Sequence, residues 1–163
     1  MSRWRDRPPP SSPYITAEGY GKLEQESREL WNKRNEVRQA LSAAAAEGDR
    51  SENAEYIYRK KQLREIDNRI AWLQKRLPKL KIIKRADSTE VVYFSARVEL
   101  ELDDGSLVSY RIVGADEFDQ HESWISIDSP LARALLGKRV DDEVTINTRD
   151  SEVTYTIVSI KYQ

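Results

Sequence analysis

Ala43-Ala44-Ala45-Ala46-Glu47-Gly48-Asp49-Arg50-Ser51-Glu52-Asn53-Ala54-Glu55-Tyr56 is the stretch around which the first half of the chain is organised. A run of alanines, the strongest helix formers, breaks at Gly48 into polar residues before helix-forming residues resume. Gly48 can end one helix in a left-handed conformation. Asp49 and Ser51 are both candidate N-caps for the next helix, and from Asp49 a capping box would be completed by Glu52. Before the bend, Tyr20, Leu23, Ser27, Leu30, Arg34, Val37, Leu41 and Ala44 step by alternating threes and fours. After it, Tyr56, Arg59, Leu63, Ile66, Ile70, Leu73, Leu77 and Leu80 do the same. Each series is the apolar seam of a coiled coil.

The two seams mirror one another about Arg50. Tyr20 pairs with Leu80, Leu23 with Leu77, Leu30 with Ile70, Val37 with Leu63 and Ala44 with Tyr56. A hairpin folding back on its own turn needs that symmetry, whereas two helices of a longer coiled coil do not. Thr16 is placed to cap the first helix. Arg34 would face Ile66 and Arg59 would face Leu41, each laying its stem on the apolar partner with the guanidinium in solvent. Pro78 should end or kink the second helix near Leu77. Each limb of about thirty residues would be roughly 45 Å long.

After Lys81 the period changes to two. Val91 and Tyr93, then Val98, Leu100 and Leu102, alternate with polar residues as strands do. Asp103-Asp104-Gly105 is a hairpin signal, with Leu107, Val108, Tyr110 and Ile112 on the return strand. Trp124–Ile127 reads as a short strand, and Asp128-Ser129-Pro130 opens a short helix, Pro130–Leu136, closed by Gly137. Val144–Thr148 and Val153–Ile160 form a last hairpin around Arg149-Asp150-Ser151. The expected fold is α+β: a two-helix antiparallel hairpin over residues 14–80, with its acidic tip at 48–53, then a small β-rich domain over 81–163. A domain that small can fold alone, if only marginally.

Composition excludes several chemistries. There is no Cys, so disulfides, thiolate metal sites and thiol nucleophiles are absent. The single His, His121, rules out a His-pair metal site within one chain and reads as a surface loop residue. No phosphate loop, Ser/His/Asp set or dinucleotide fingerprint is present. Lys and Arg number 27 against 28 for Asp and Glu, so a protein that simply coats nucleic acid is not expected. Residues 1–13, with Arg3, Arg5 and Arg7 ahead of Pro8, Pro9, Pro10 and Pro13, read as a disordered, dispensable tail. They carry no signal-peptide pattern, and cytoplasmic location, without a membrane, is the default expectation.

Two features of the hairpin carry chemistry. Asp49 and Glu52 stand three apart at a helix start, where their carboxylates can share one side of the turn. They either serve as caps or form a weak donor pair for Mg²⁺. That ion takes one or two carboxylates and fills its other positions with water and phosphate, so the pair alone should hold it poorly. Arg59, Lys60, Lys61 and Arg64 form a basic stripe behind the tip, either a solvated helix face or a track for a single nucleic-acid strand. Tyr58 could stack on bases; Tyr56 is better explained by the seam.

At these residues the chain resembles the bacterial Gre transcript-cleavage factors. Gly48-Asp49-Arg50-Ser51-Glu52-Asn53-Ala54-Glu55-Tyr56 is similar to the family's tip signature. Its continuation, Arg59-Lys60-Lys61-Gln62-Leu63-Arg64-Glu65-Ile66-Asp67, is closer to the GreB branch. A second match is Ile125-Ser126-Ile127-Asp128-Ser129-Pro130-Leu131-Ala132-Arg133-Ala134-Leu135-Leu136. The resemblance runs from about Tyr14 to Tyr162. It implies an FKBP-like second domain that docks on RNA polymerase, with contact at Ile127, Asp128, Ser129 and Pro130, while the hairpin enters the secondary channel. Asp49 and Glu52 would help hold the second catalytic Mg²⁺, which the factor alone would not bind tightly. Arg59, Lys60, Lys61 and Arg64 would guide the extruded 3′ end of backtracked RNA. The implied protein is a monomer and not itself an enzyme; the polymerase cuts. The alternative is a non-catalytic channel-binding regulator on the same scaffold. The FKBP-like domain also raises autonomous prolyl isomerase activity, which is not expected.

Overall fold

A computed structural model describes residues 9–48, 53–84 and 89–162. The described residues divide into two compact units: Tyr20–Leu80 form one, and those up to Gly19 and from Lys81 onwards form the other. Residues 14–19, placed with the hairpin ahead of its first seam residue, Tyr20, therefore belong with the β-rich unit. The reason is a pair of short parallel strands, β1 (Tyr14–Ile15) and β2 (Lys81–Ile82), that stitch the two chain segments together.

The hairpin consists of α1 (Ala17–Ala45) and α2 (Ala54–Arg76). At 29 and 23 residues they are about 43 and 35 Å long. Every residue of both seams is buried or half-buried, while the positions between are mostly exposed. Val37, Ile66 and Ile70 form the centre of the seam, with Leu30 and Leu63 packed against them. Arg34 departs from expectation. Its Nε lies 2.6 Å from Asp67 Oδ1, an ion pair across the two helices instead of a solvated head. Arg69 makes a two-point contact with Glu26 at 2.6 and 3.0 Å and lies over the Trp72 ring. Pro78 acts as its ring dictates: α2 stops at Arg76 and a single 3₁₀ turn, Leu77–Lys79, follows.

The other unit is a five-stranded sheet with α3 (Pro130–Leu135) contributing to its core. Its strands are β3 (Arg97–Leu102), β4 (Leu107–Val113), β5 (Trp124–Ser126), β6 (Glu143–Asn147) and β7 (Glu152–Lys161). They lie in the order β5-β4-β3-β7-β6, all antiparallel except β4 with β5. Val98 and Leu100 of β3, Ile112 of β4, Ile157 and Ile160 of β7, and Ala132 and Leu135 of α3 fill the core. Ile157 and Ile160 are three apart, so strict alternation would send them to opposite faces. A register shift opposite Glu99 and Leu100 leaves Val158 without a partner and turns both isoleucines inward. The Val91–Tyr93 stretch is not a strand. Val91 makes one isolated bridge to Arg139, and Val92 exchanges backbone bonds with Lys138 and Gly137 just past α3.

The start of α1 is built into this unit. Thr16 caps it, its Oγ1 accepting from Gly19 N–H at 3.0 Å. Glu117, fully buried, accepts from the Thr16 hydroxyl at 2.8 Å, from Thr16 N–H, and from Gly114 N–H at 2.9 Å. Gly19 has to be glycine, because a Cβ there would lie 1.5 Å from Glu117 Oε2. No helix among the described residues is long and apolar enough to cross a membrane.

Candidate functional site

The neck of the hairpin bend is set by one side chain. Asn53 adopts extended backbone angles and its Oδ1 accepts from Tyr56 N–H at 3.1 Å, so Asn53 is the N-cap of α2. Its Nδ2 donates to the Ala44 carbonyl at 2.7 Å, satisfying one of the carbonyls that a helix end leaves open. Glu47 N–H donates to the same oxygen at 3.3 Å. Capping therefore falls to Asn53, not to Asp49 or Ser51 as the motif suggested. Gly48 has φ +138°, a glycine-favouring angle outside the left-handed helical range expected for it. Asp49, Arg50, Ser51 and Glu52 lie outside the described residues. Asn53 was missed because Asp49 and Ser51 competed for the same role; the signal was an Asn directly ahead of the helix-forming Ala54-Glu55.

Behind the neck, α2 carries the basic stripe. Lys60, Lys61 and Arg64 are exposed. Lys60 Nζ sits 5.9 Å from the centre of the Tyr56 ring, and Lys61 approaches Glu65 at 4.0 Å. Arg59 is less available. Its Nε is paired with Glu55 at 2.7 Å and its Nη1 donates to Gln62 at 3.0 Å, so its head stays on its own helix. Tyr58 is exposed, with Arg59 over its ring at 5.5 Å.

In the β-rich unit, Ile127, Asp128, Ser129 and Pro130 form the turn from β5 into α3. Ile127 N–H donates to Val113 O at 2.8 Å, and its side chain packs against the core. Ser129 Oγ caps α3, accepting from Ala132 N–H at 3.2 Å, and Pro130 occupies the first turn. The Asp128 carboxylate accepts from Ser12 twice: from its N–H at 2.9 Å and from its hydroxyl. Ser12 is therefore a partner of this turn, and the Pro13 carbonyl accepts from Lys81 N–H, so neither belongs to a loose tail. One further group escaped the sequence reading: Arg111, buried, lies over the Trp124 ring and reaches Glu18 at 3.7 Å. His121, exposed as expected, stacks on the same Trp124 ring.

Among the described residues, no three His, Cys, Asp or Glu side chains gather as a metal site. An antiparallel pair of helices ending in a polar bend, together with a separate five-stranded α+β unit, defines a two-part protein with its charged chemistry on the helical part. Two family profiles match it: transcription elongation factor, N-terminal, over residues 13–82, and transcription elongation factor, GreA/GreB, C-terminal, over residues 87–162. The chain belongs to the GreA/GreB family of transcription elongation factors. It is 54% identical over 165 residues to transcription elongation factor GreB of Xanthomonas axonopodis pv. citri (strain 306), spanning 99% of this chain and 98% of the relative. The protein of the same name from Pseudomonas aeruginosa is 52% identical, with 99% and 98% covered. The solved GreA factor homolog 1 (Gfh1) of Thermus thermophilus is 26% identical over 91% of this chain and 97% of its own, with a TM-score of 0.42.

Proposed function

We propose that this elongation factor binds RNA polymerase, extends its helical hairpin into the secondary channel and stimulates the polymerase's own Mg²⁺-dependent cleavage of backtracked RNA. The observation that carries the reading is the Asn53 clasp: it caps α2, so the capping role weighed for the Asp49 and Glu52 pair is already filled and the donor reading of that pair is favoured. Two carboxylates from the tip fit a hard cation whose remaining positions belong to polymerase groups, water and phosphate. A divalent ion so held would supply Lewis-acid stabilisation and activate water. This chain's residues would contribute in order along the sequence. Asp49 and Glu52 would share the ion, and exposed Lys60, Lys61 and Arg64 would offer cations to the phosphates of the RNA 3′ segment, with Arg59 a weaker contributor. The Ile127–Pro130 turn would meet the polymerase surface.

The test is incubation of a purified stalled elongation complex with the protein and Mg²⁺. Shortened RNA is expected. Asp49→Asn with Glu52→Gln should keep polymerase binding and return cleavage to the rate of polymerase alone. Undiminished cleavage by that double variant rejects the reading, and slowed elongation without shortened RNA would mark a channel-blocking regulator instead.

A further inference from the structure

We propose that Ser12 is a positioning residue for the polymerase-docking turn: it holds the Asp128 carboxylate in the orientation that the polymerase meets. This rests on the functional reading above. Ser12 engages both carboxylate oxygens of Asp128 across 116 residues of sequence, its N–H on Oδ2 and its hydroxyl on Oδ1. Such charge-assisted bonds are stronger than neutral ones and fix a side chain geometrically.

The segment that delivers Ser12 is itself anchored. Pro13, directly after it, restricts Ser12 to extended backbone. The Pro13 carbonyl accepts from Lys81 N–H at 2.8 Å, and Ile83 N–H donates to Ile15 O at 3.0 Å. Ile15 is fully buried, and the Tyr14 ring lies 6.4 Å from that of Phe94. Gly114 leaves room for the segment, since a Cβ there would be 2.2 Å from the Tyr14 carbonyl oxygen. The turn's backbone has its own supports. Asp128 N–H donates to Ser126 Oγ at 3.1 Å, and Ser129 N–H donates to Ser126 O at 2.9 Å. Ser12 adds two donors on the Asp128 carboxylate itself and so acts on the direction of that side chain. An acceptor already set in place binds a donor on a partner without the ordering cost that a mobile side chain incurs.

The experiment is titration of full-length protein, wild type and variants, against purified core polymerase, with cleavage measured at saturating protein and thermal unfolding measured alongside. Ser12→Ala should weaken polymerase binding about tenfold. Ser12→Thr, which restores the hydroxyl, should bind within about twofold of wild type. Ser12→Asp, which sets a carboxylate against Asp128, should lose the most. All should retain the wild-type cleavage rate once saturated, and Ser12→Ala should unfold close to the wild-type temperature. The proposal is overturned if Ser12→Ala binds like wild type, or more tightly, which would make Ser12 a competitor. It is equally overturned if Thr fails to restore what Ala loses, or if affinity falls only in step with stability. Failure of the wild type to bind polymerase sinks the functional reading and this inference together. A wild type that binds and shortens RNA while Ser12→Ala matches it sinks this inference alone.

Discussion

Asn53 uses both ends of one amide, and the two can be separated by mutation. Asn53→Ala removes the cap and the bond to Ala44, and should cost about 1–2 kcal/mol, felt at the hairpin end. Asn53→Asp keeps the capping oxygen but has no donor for Ala44. Amide exchange should therefore quicken at Tyr56 in the Ala variant and stay slow there in the Asp variant. Unchanged exchange at Tyr56 in Asn53→Ala would refute the cap. Tyr162 makes a pH prediction at the same scale. Burial raises the pKa of its phenol, whose hydroxyl donates to Val91 O at 2.7 Å and accepts from Tyr93 N–H at 2.9 Å. The folded state thus keeps a proton that the unfolded chain gives up near pH 10. Above that pH the unfolded state binds fewer protons, so stability, complete below it, falls as pH rises through the folded value. Tyr162→Phe should lower stability at neutral pH by about 1 kcal/mol and flatten that alkaline decline. Denaturant midpoints at pH 7 and pH 11 check both.

Among the elements, the hairpin was the most legible. Its seam follows from apolar spacing alone, because a two-helix unit has only one surface to bury. Long-range polar pairs were not legible: nothing in the period distinguishes Arg34 reaching Asp67 from Arg34 reaching solvent. The β-bulge at Val158 was hidden for a related reason, since Ile157 and Ile160 read as a broken alternation until β3 is laid beside them. In the candidate site, the tip motif and the basic stripe were readable as residue types. Two supports were not: Asn53 at the bend, where Asp49 and Ser51 competed for the capping role, and Ser12 at the docking turn, which 116 residues separate from Asp128. The stripe is testable as an element. Replacing Lys60, Lys61 and Arg64 together with Ala should impair rescue of deeply backtracked complexes most, as these expose more RNA. Equal loss at every backtrack depth would contradict an RNA-guiding role.

For the molecule as a whole, the compact unit that contains the sheet draws on chain ahead of the hairpin as well as on residues after Leu80. Fully buried Glu117 takes donors from Thr16, and among the described residues β2 pairs with β1 alone. A fragment of residues 81–163 leaves that carboxylate short of partners, a condition that typically costs about 1–3 kcal/mol or more for a charged group. The same fragment with residues 9–19 spliced ahead of Lys81 through a short linker should unfold cooperatively and at a higher temperature. Identical melting of the two would show that the N-terminal segment contributes nothing to stability.

Because one folded unit draws on chain from both sides of the hairpin, the helical arm is, in genetic terms, an insert. Exchanging arms between related genes takes two crossovers, near Gly19 and near Leu80. A single recombination event anywhere in the arm instead marries the Ser12–Ile15 segment of one parent to the Gly114 and Asp128 of the other, and lineages should tolerate such hybrids only when those few residues match.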